Sequence, residues 1–231
     1  MPSLGVVTIG QSPRADLTAE LAAYLPGRTR LLERGALDDL TPSAIAALAP
    51  GADEDTLTTR LRGGESVVLD RQRLVPLLEE AISALEQEGA EVNLLVCTGT
   101  FPPLRHRRPL LDAERLLVTG VSAIAHRSGK LGVVVPLPAQ QDVLSRRWQR
   151  ALGARVLVDT ADPYADGAAE AIPAAAGRLA SEGAHIALLD CMGYTETSRE
   201  AARARAAIPV LLARSVVGRL TGELLCASAR R

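Results

Sequence analysis

One run of residues occurs twice in this chain. Residues 88–100, EGAEVNLLVCTGT, are echoed by residues 182–194, EGAHIALLDCMGY. Each copy passes from Glu-Gly-Ala through a short apolar run to a cysteine, followed by Gly-containing turn residues. The echo has a companion: LGVV at residues 4–7 returns unchanged at residues 131–134. Both LGVV copies lead into a polar or proline-bearing turn and then a helical segment, TIGQSPRADLTAELAAYL against VPLPAQQDVLSRRWQRAL. Matched segments that keep the same order in both halves indicate a duplicated unit, its second copy beginning near residues 122–130. The period is too long and the copies are too few for a solenoid. The expected domains are residues 1–121 and 122–212, with the terminal stretch 213–231 free to pack back on the first.

Within each half, short β-branched and aliphatic runs alternate with amphipathic ones. Strands are expected at 6–9, 30–33, 66–69, 92–96, 115–119, 131–135, 156–159, 186–190 and 209–212. The clearest helix carries Leu74, Leu77, Leu78, Ala81, Ile82 and Leu85 along one face. Val216, Val217, Leu220, Leu224 and Leu225 mark another. Runs such as LGVVV are apolar throughout, as expected of strands covered on both faces. The alternation predicts an α/β fold with parallel sheets.

Composition narrows the function. Lys+Arg 26 against Asp+Glu 27 leaves a net charge of −1, so no overall field draws the chain to nucleic acid or anionic lipid. No apolar run approaches the about 20 residues of a membrane span, and no signal peptide is visible. A cytoplasmic location is expected. The three cysteines are widely spaced and lack CxxC patterning, which argues against a disulfide framework or structural zinc. GxGxxG, the P-loop and HExxH are missing, and His106, His126 and His185 are scattered. Neither a cofactor nor a metal is expected.

The chemistry available lies at the strand ends. In parallel α/β sheets, ligands bind beyond the carboxyl ends of the strands. Cys97 and Cys191 both sit where an apolar strand gives way to a turn. There a thiol meets exposed backbone N–H groups and a helix N-terminus, which lower its pKa from about 8.5 and favour the thiolate. Thr98, Gly99 and Thr100 after the first cysteine, and Gly193, Tyr194 and Thr195 after the second, offer hydroxyls and approachable amides for a carboxylate or phosphate. Gln11, Ser12 and Arg14 follow the first LGVV strand, and a hydroxyl and guanidinium there suit the same anion. If the halves face each other about a pseudo-twofold axis, one thiolate can take a proton from carbon while the other thiol returns one. A single cysteine acting as nucleophile or proton donor is the alternative. Cysteine also packs as a small apolar residue, the expected role of Cys226 in the last helix. Asp190 is expected to bond turn amides and Trp148 to pack in a helix. Residues 102–110 read as an exposed arginine-rich loop, and Asp70-Arg71 follows another strand end.

TIGQSPR near the N-terminus, VCTGTFPPL around Cys97 and LLDCMGYT around Cys191 resemble the AroM family over essentially the whole chain. That family is in turn similar to the aspartate/glutamate/hydantoin racemase superfamily, whose two α/β domains each carry a cysteine. The resemblance implies an α/β fold of two similar parallel-sheet, flavodoxin-like domains related by pseudo-twofold symmetry. It also implies cofactor-independent chemistry on small carboxylates, the class that includes racemases, an arylmalonate decarboxylase and maleate isomerases. The amino-acid racemases of that superfamily carry Asp-Ser after the first strand, Asn-Thr after the first cysteine and Thr-His after the second. Here stand Gln11-Ser12, Thr98-Gly99 and Met192-Gly193, which argues against amino-acid racemisation. The expected partner is a small carboxylate metabolite, with homo-oligomerisation left open. Three functions follow: an isomerase or racemase using both cysteines, a one-thiol lyase or decarboxylase, and a non-catalytic binder of a small anion.

Overall fold

The computed structural model describes residues 1–51, 56–126 and 129–228. The chain divides into two compact units, Met1–Glu114 together with the segment from Gly218 onward, and Arg115–Val217. The first unit runs β1 (Ser3–Thr8), α1 (Ala15–Ala22), β2 (Arg30–Gly35), α2 (Pro42–Ala46), β3 (Thr56–Arg60), β4 (Ser66–Asp70), α3 (Arg71–Gln87), β5 (Val92–Leu95) and β6 (Leu110–Asp112). Helix α4 (Ala113–Ala125) begins at the boundary. The second unit continues through β7 (Leu131–Val135), α5 (Gln141–Leu152), β8 (Leu157–Thr160), α6 (Ala168–Ser181), β9 (Ile186–Leu189), α7 (Glu196–Ala206) and β10 (Val210–Leu212). The last helix, α8 (Ala213–Ser228), starts in the second unit and finishes in the first.

Each unit has a four-stranded parallel sheet, ordered β2-β1-β5-β6 in the first and β8-β7-β9-β10 in the second. The opening strand of each half therefore lies between the second strand and the strand that leads to the cysteine. This is the doubly wound arrangement expected from the alternation of elements. Every residue of β1, β5, β7 and β9 is buried, as strands covered on both faces require.

The repeated motifs prove to be physical partners within each half. Glu-Gly-Ala ends a helix. Gly89 (φ 96°) gives its N–H to Glu86 O at 3.2 Å, and Ala90 gives its own to Leu85 O at 2.9 Å. Gly183 (φ 91°) and Ala184 make the same two bonds, to Ala180 O at 3.0 Å and Leu179 O at 2.9 Å. This is a Schellman end, whose left-handed residue is cheap only as glycine. The alanine then lies against the glycine of LGVV. A Cβ on Gly5 would stand 3.1 Å from Ala90 Cβ, and one on Gly132 would stand 3.0 Å from Ala184 Cβ. The two short motifs thus specify one close helix–strand approach, used twice.

Four expectations are corrected. Residues 115–119 are helix, within α4, and the strand is β6 just before them. Leu117, Val121 and Ala125 are its buried face, a helical spacing that the short apolar run disguised. Residues 66–69 are a strand, but β4 pairs antiparallel with β3 in a hairpin outside the parallel sheet. Cys226 is exposed, as are Leu220 and Leu224. The packed face of α8 holds the buried Val217 and Leu225 with two glycines against the end of α1 and the residues just after it: a Cβ on Gly218 would meet Tyr24 Cδ2 at 2.7 Å and Leu21 Cδ1 at 3.1 Å, and one on Gly222 would meet Tyr24 O at 2.2 Å. Finally, the segment between β5 and β6 contains no helix, whereas its counterpart in the second unit is α7. Cys97 is therefore not followed by the helix N-terminus expected for both thiols. Among the described residues no helix is long and apolar enough to cross a membrane.

The helix–strand approach gives a direct prediction. Gly132→Ala forces a methyl to within 3.0 Å of Leu179 Cβ as well as of Ala184 Cβ. It should lower stability by about 1–3 kcal/mol, the usual cost of overpacking. Gly63→Ala, with nothing within 4 Å of the added atom, serves as the control in parallel urea denaturation and should shift little.

Candidate active site

Both cysteines leave their sheets in the same way. Val96 N–H bonds to Val7 O, and Asp190 N–H bonds to Val134 O, each at 2.9 Å. The next residue in each case is the cysteine, one position past the last bond to the central strand. The chain then turns so that the glycine two residues on aims its N–H back at sulfur: Gly99 to Cys97 Sγ and Gly193 to Cys191 Sγ, both at 3.3 Å. A donor aimed at sulfur favours negative charge there. The two cysteine residues are 8% and 9% exposed, largely withdrawn from water.

Both glycines are dictated by close neighbours. A Cβ on Gly99 would come within 2.6 Å of Leu57 Cδ2, from β3 of the hairpin, and 3.4 Å of Cys97 Sγ. A Cβ on Gly193 would come within 2.6 Å of the Tyr164 hydroxyl oxygen and 2.9 Å of Pro163 Cγ. The wall is thus aliphatic at the first turn and phenolic at the second.

The remaining turn residues have definite work. Thr98 is buried. Thr100 donates its hydroxyl to Glu114 Oε1 at 3.4 Å, and its carbonyl accepts from Arg71 Nη1 at 2.6 Å. Thr195 caps α7 by accepting Ser198 N–H at 3.2 Å. Tyr194 is fully buried, its ring in the core and its hydroxyl donated to Ala161 O at 2.7 Å. Burial, reinforced by the neighbouring Cys191 and Asp190, pushes its phenol well above the usual value. Met192 O accepts from both Nε (3.2 Å) and Nη2 (2.7 Å) of Arg214, an arginine with no exposed surface.

In the loop after β1, the carboxylates in contact are the protein's own. Ser12 gives its N–H to Asp38 Oδ1 at 2.6 Å and its hydroxyl to Oδ2 at 2.5 Å, and Gly35 N–H joins Oδ2 at 2.7 Å. Arg14 is 5% exposed and forms a fork on Asp16, both bonds being 2.8 Å. Gln11 donates to Leu37 O and accepts Arg62 N–H, while Arg62 Nε bonds to Ser12 O at 2.7 Å. Arg62 lies in the β3–β4 connection, so the hairpin is fastened to this loop.

Asp190 is bonded from α5 behind the strand. Its carboxylate accepts from Arg147 and, at 2.7 Å, from Trp148 Nε1, three buried groups packed behind the strand end. Trp148 therefore both packs and donates. Asp70 caps α3 by accepting Arg73 N–H at 2.8 Å. The arginine-rich loop is exposed apart from the buried Leu104 and the half-buried Leu110, and amides at Arg105, Arg107 and Arg108 are tied to α3 through Glu79 and Glu86. Among the described residues no group of three or more His, Cys, Asp or Glu is gathered to hold a metal ion.

Sequence reasoning missed Arg214, Asp38 and Leu57 and gave Arg71 no specific role. Arg214 was accessible by extending the repeat, because PLLDAE and PVLLAR place Glu114 and Arg214 at matching positions. Leu57 was not, since the hairpin has no counterpart in the second half.

Two parallel sheets of identical order, each ending its third strand in a cysteine, define an α/β protein with the Asp/Glu racemase fold. Solved structures agree. The chain superposes on the allantoin racemase from Klebsiella pneumoniae (TM-score 0.65, 15% identity, covering 99% of this chain and 89% of that one). It also matches the D-glutamate complex of the glutamate racemase from Francisella tularensis subsp. tularensis SCHU S4 (0.62, 11%, 99% and 82%). A third match is an arylmalonate decarboxylase (0.57, 13%, 97% and 92%). No curated protein matches the sequence. The family model described as AroM protein matches residues 4–225, and the chain belongs to that family.

The buried Tyr194 yields a pH prediction. Its folded-state pKa is raised, so its contribution to stability is complete below the unfolded value near 10 and is lost as pH rises through the folded value. Tyr194→Phe should cost about 1–2 kcal/mol at neutral pH, because Ala161 O loses its donor. It should also flatten the alkaline decline of stability, measured as urea midpoints above pH 9.

Proposed function

We propose that this AroM family member is a cofactor-independent isomerase or racemase-type enzyme, acting at the carbon beside a carboxylate of a small metabolite. Cys97 and Cys191 are its acid/base pair. The observation that carries the reading is the matched geometry of the thiols: each lies one residue past the last strand bond and accepts a glycine N–H at 3.3 Å. A buried packing cysteine has no need of that bond, still less twice. The structural neighbours include two racemases and a decarboxylase, which supports a racemase-type reaction; the glutamate racemase and the arylmalonate decarboxylase favour a carboxylate substrate.

In the proposed reaction one cysteine, as thiolate, takes the proton from the substrate carbon and becomes a thiol. The electron pair is held by the adjacent carboxylate, and the other cysteine gives its proton to the opposite face, becoming a thiolate. The surrounding turns supply the substrate contacts. Thr98, Gly99 and Thr100 flank the first thiol, and Gly193, Tyr194 and Thr195 shape the turn of the second. Gln11, Ser12 and Arg14 are proposed for the same set, Ser12 and Arg14 exchanging their bonds to Asp38 and Asp16 for the substrate carboxylate.

A one-thiol lyase or decarboxylase is the second reading. Its support is the inequality of the two turns: only Cys191 is followed by a helix, and only its turn receives a fully buried arginine.

The test is α-hydrogen exchange in deuterium oxide, followed by proton NMR over a panel of small carboxylates. The proposal predicts exchange by the wild type, with Cys97→Ser and Cys191→Ser each lowering conversion by about 10²–10⁴-fold. Loss confined to Cys191→Ser supports the one-thiol reading. No exchange of any carboxylate, with binding unchanged in both variants, makes the protein a binder.

A further inference from the structure

The two thiols match in backbone but not in electrostatic surroundings. Arg214 enters the Cys191 turn from the first residues of α8. It is fully buried and sets two donors on the carbonyl of Met192, the residue adjoining the thiol. The α7 N-terminus also follows this thiol, opening at Glu196 behind its Thr195 cap. Tyr194 lies close enough to Cys191 for the two to interact, and it shares those surroundings with Asp190, neutralised by Arg147 from α5, and with Asp162 and Tyr164. Asp162 and Tyr164 are half-buried, hence partly screened by water.

The Cys97 turn differs. At the position matching Arg214 it has Glu114, which accepts the Thr100 hydroxyl, while Arg71 from the start of α3 donates to the Thr100 carbonyl. Charges of opposite sign thus meet at one residue, farther along the chain from the thiol, and no helix follows.

We propose that Arg214 makes the two cysteines unequal: it is a positioning residue that holds Cys191 as the resting thiolate and leaves Cys97 the resting thiol. The assignment rests on the two-thiol reading above. It makes Cys191 the base that removes the substrate proton and Cys97 the acid that supplies one. After turnover Cys191 carries the proton and Cys97 the charge, and exchange with solvent restores the starting state.

The test does not depend on catalysis. The intact protein is pulsed with iodoacetamide across pH 5–10, and alkylation at each cysteine is followed by peptide mass spectrometry. In the wild type, Cys191 should titrate at least about 1 pH unit below Cys97, the shift expected of a nearby opposite charge. Arg214→Met should move the Cys191 midpoint up by a similar amount and leave Cys97 in place, and Arg214→Lys should restore it. A wild-type Cys97 midpoint equal to or below that of Cys191 overturns the assignment whether or not any variant folds. So does an Arg214→Met protein with an unmoved Cys191 midpoint. Either result leaves the α-hydrogen exchange test standing, whereas missing exchange with the gap intact overturns the reaction and not the inequality.

Discussion

The contact on which each half depends is the close approach of a helix end to a glycine in the central strand. Ala90 on Gly5, and Ala184 on Gly132, set how near α3 and α6 come to their sheets. The Schellman end just before that alanine settles the direction in which the chain leaves the helix. From the alanine to the cysteine the two copies have the same length. The contact therefore sets the strand's register, and the register sets where the thiol emerges. Val96 and Asp190 make the same last bond to the central strand, and each sulfur meets the glycine that follows. A one-residue slip in either strand would turn the thiol to the other face.

On this shared frame the halves have diverged where charge and access are decided. The first half carries a hairpin that puts Leu57 against Gly99 and fastens itself to the β1 loop through Arg62. It replaces a helix after the cysteine with an irregular segment and keeps two of its own carboxylates, Asp38 and Asp16, on Ser12 and Arg14. The second half keeps the helix and buries two arginines near the thiol. One is neutralised by Asp190 and the other held by Met192 O. Matched turns with different surroundings suit the proposed division of a proton transfer between the two cysteines.

Much of this was legible in the residues. The repeat, the parallel α/β class and the two strand-end cysteines depend on local pattern, and pattern is what a sequence displays openly. The failures have physical causes. The run Leu116-Leu117-Val118 reads equally as strand or as one turn of helix, and only the burial of Leu117, Val121 and Ala125 decides. The packing face of α8 combines Gly218 and Gly222 with the buried Val217 and Leu225, so of the residues that drew attention only Leu220 and Leu224 face outward. Asp190, Asp38 and Arg214 are polar groups whose partners lie far away in sequence. Residue type announces that they need partners, but only the fold says which.

The proposed reaction requires Cys97 and Cys191 to serve one ligand. Ligand protection tests it most directly. A small carboxylate is titrated against the intact protein, and the iodoacetamide rate at each cysteine is measured in the same samples. The account predicts that both thiols are protected together, with a single half-saturation concentration. Protection of one thiol alone, or of the two at clearly different concentrations, would contradict it.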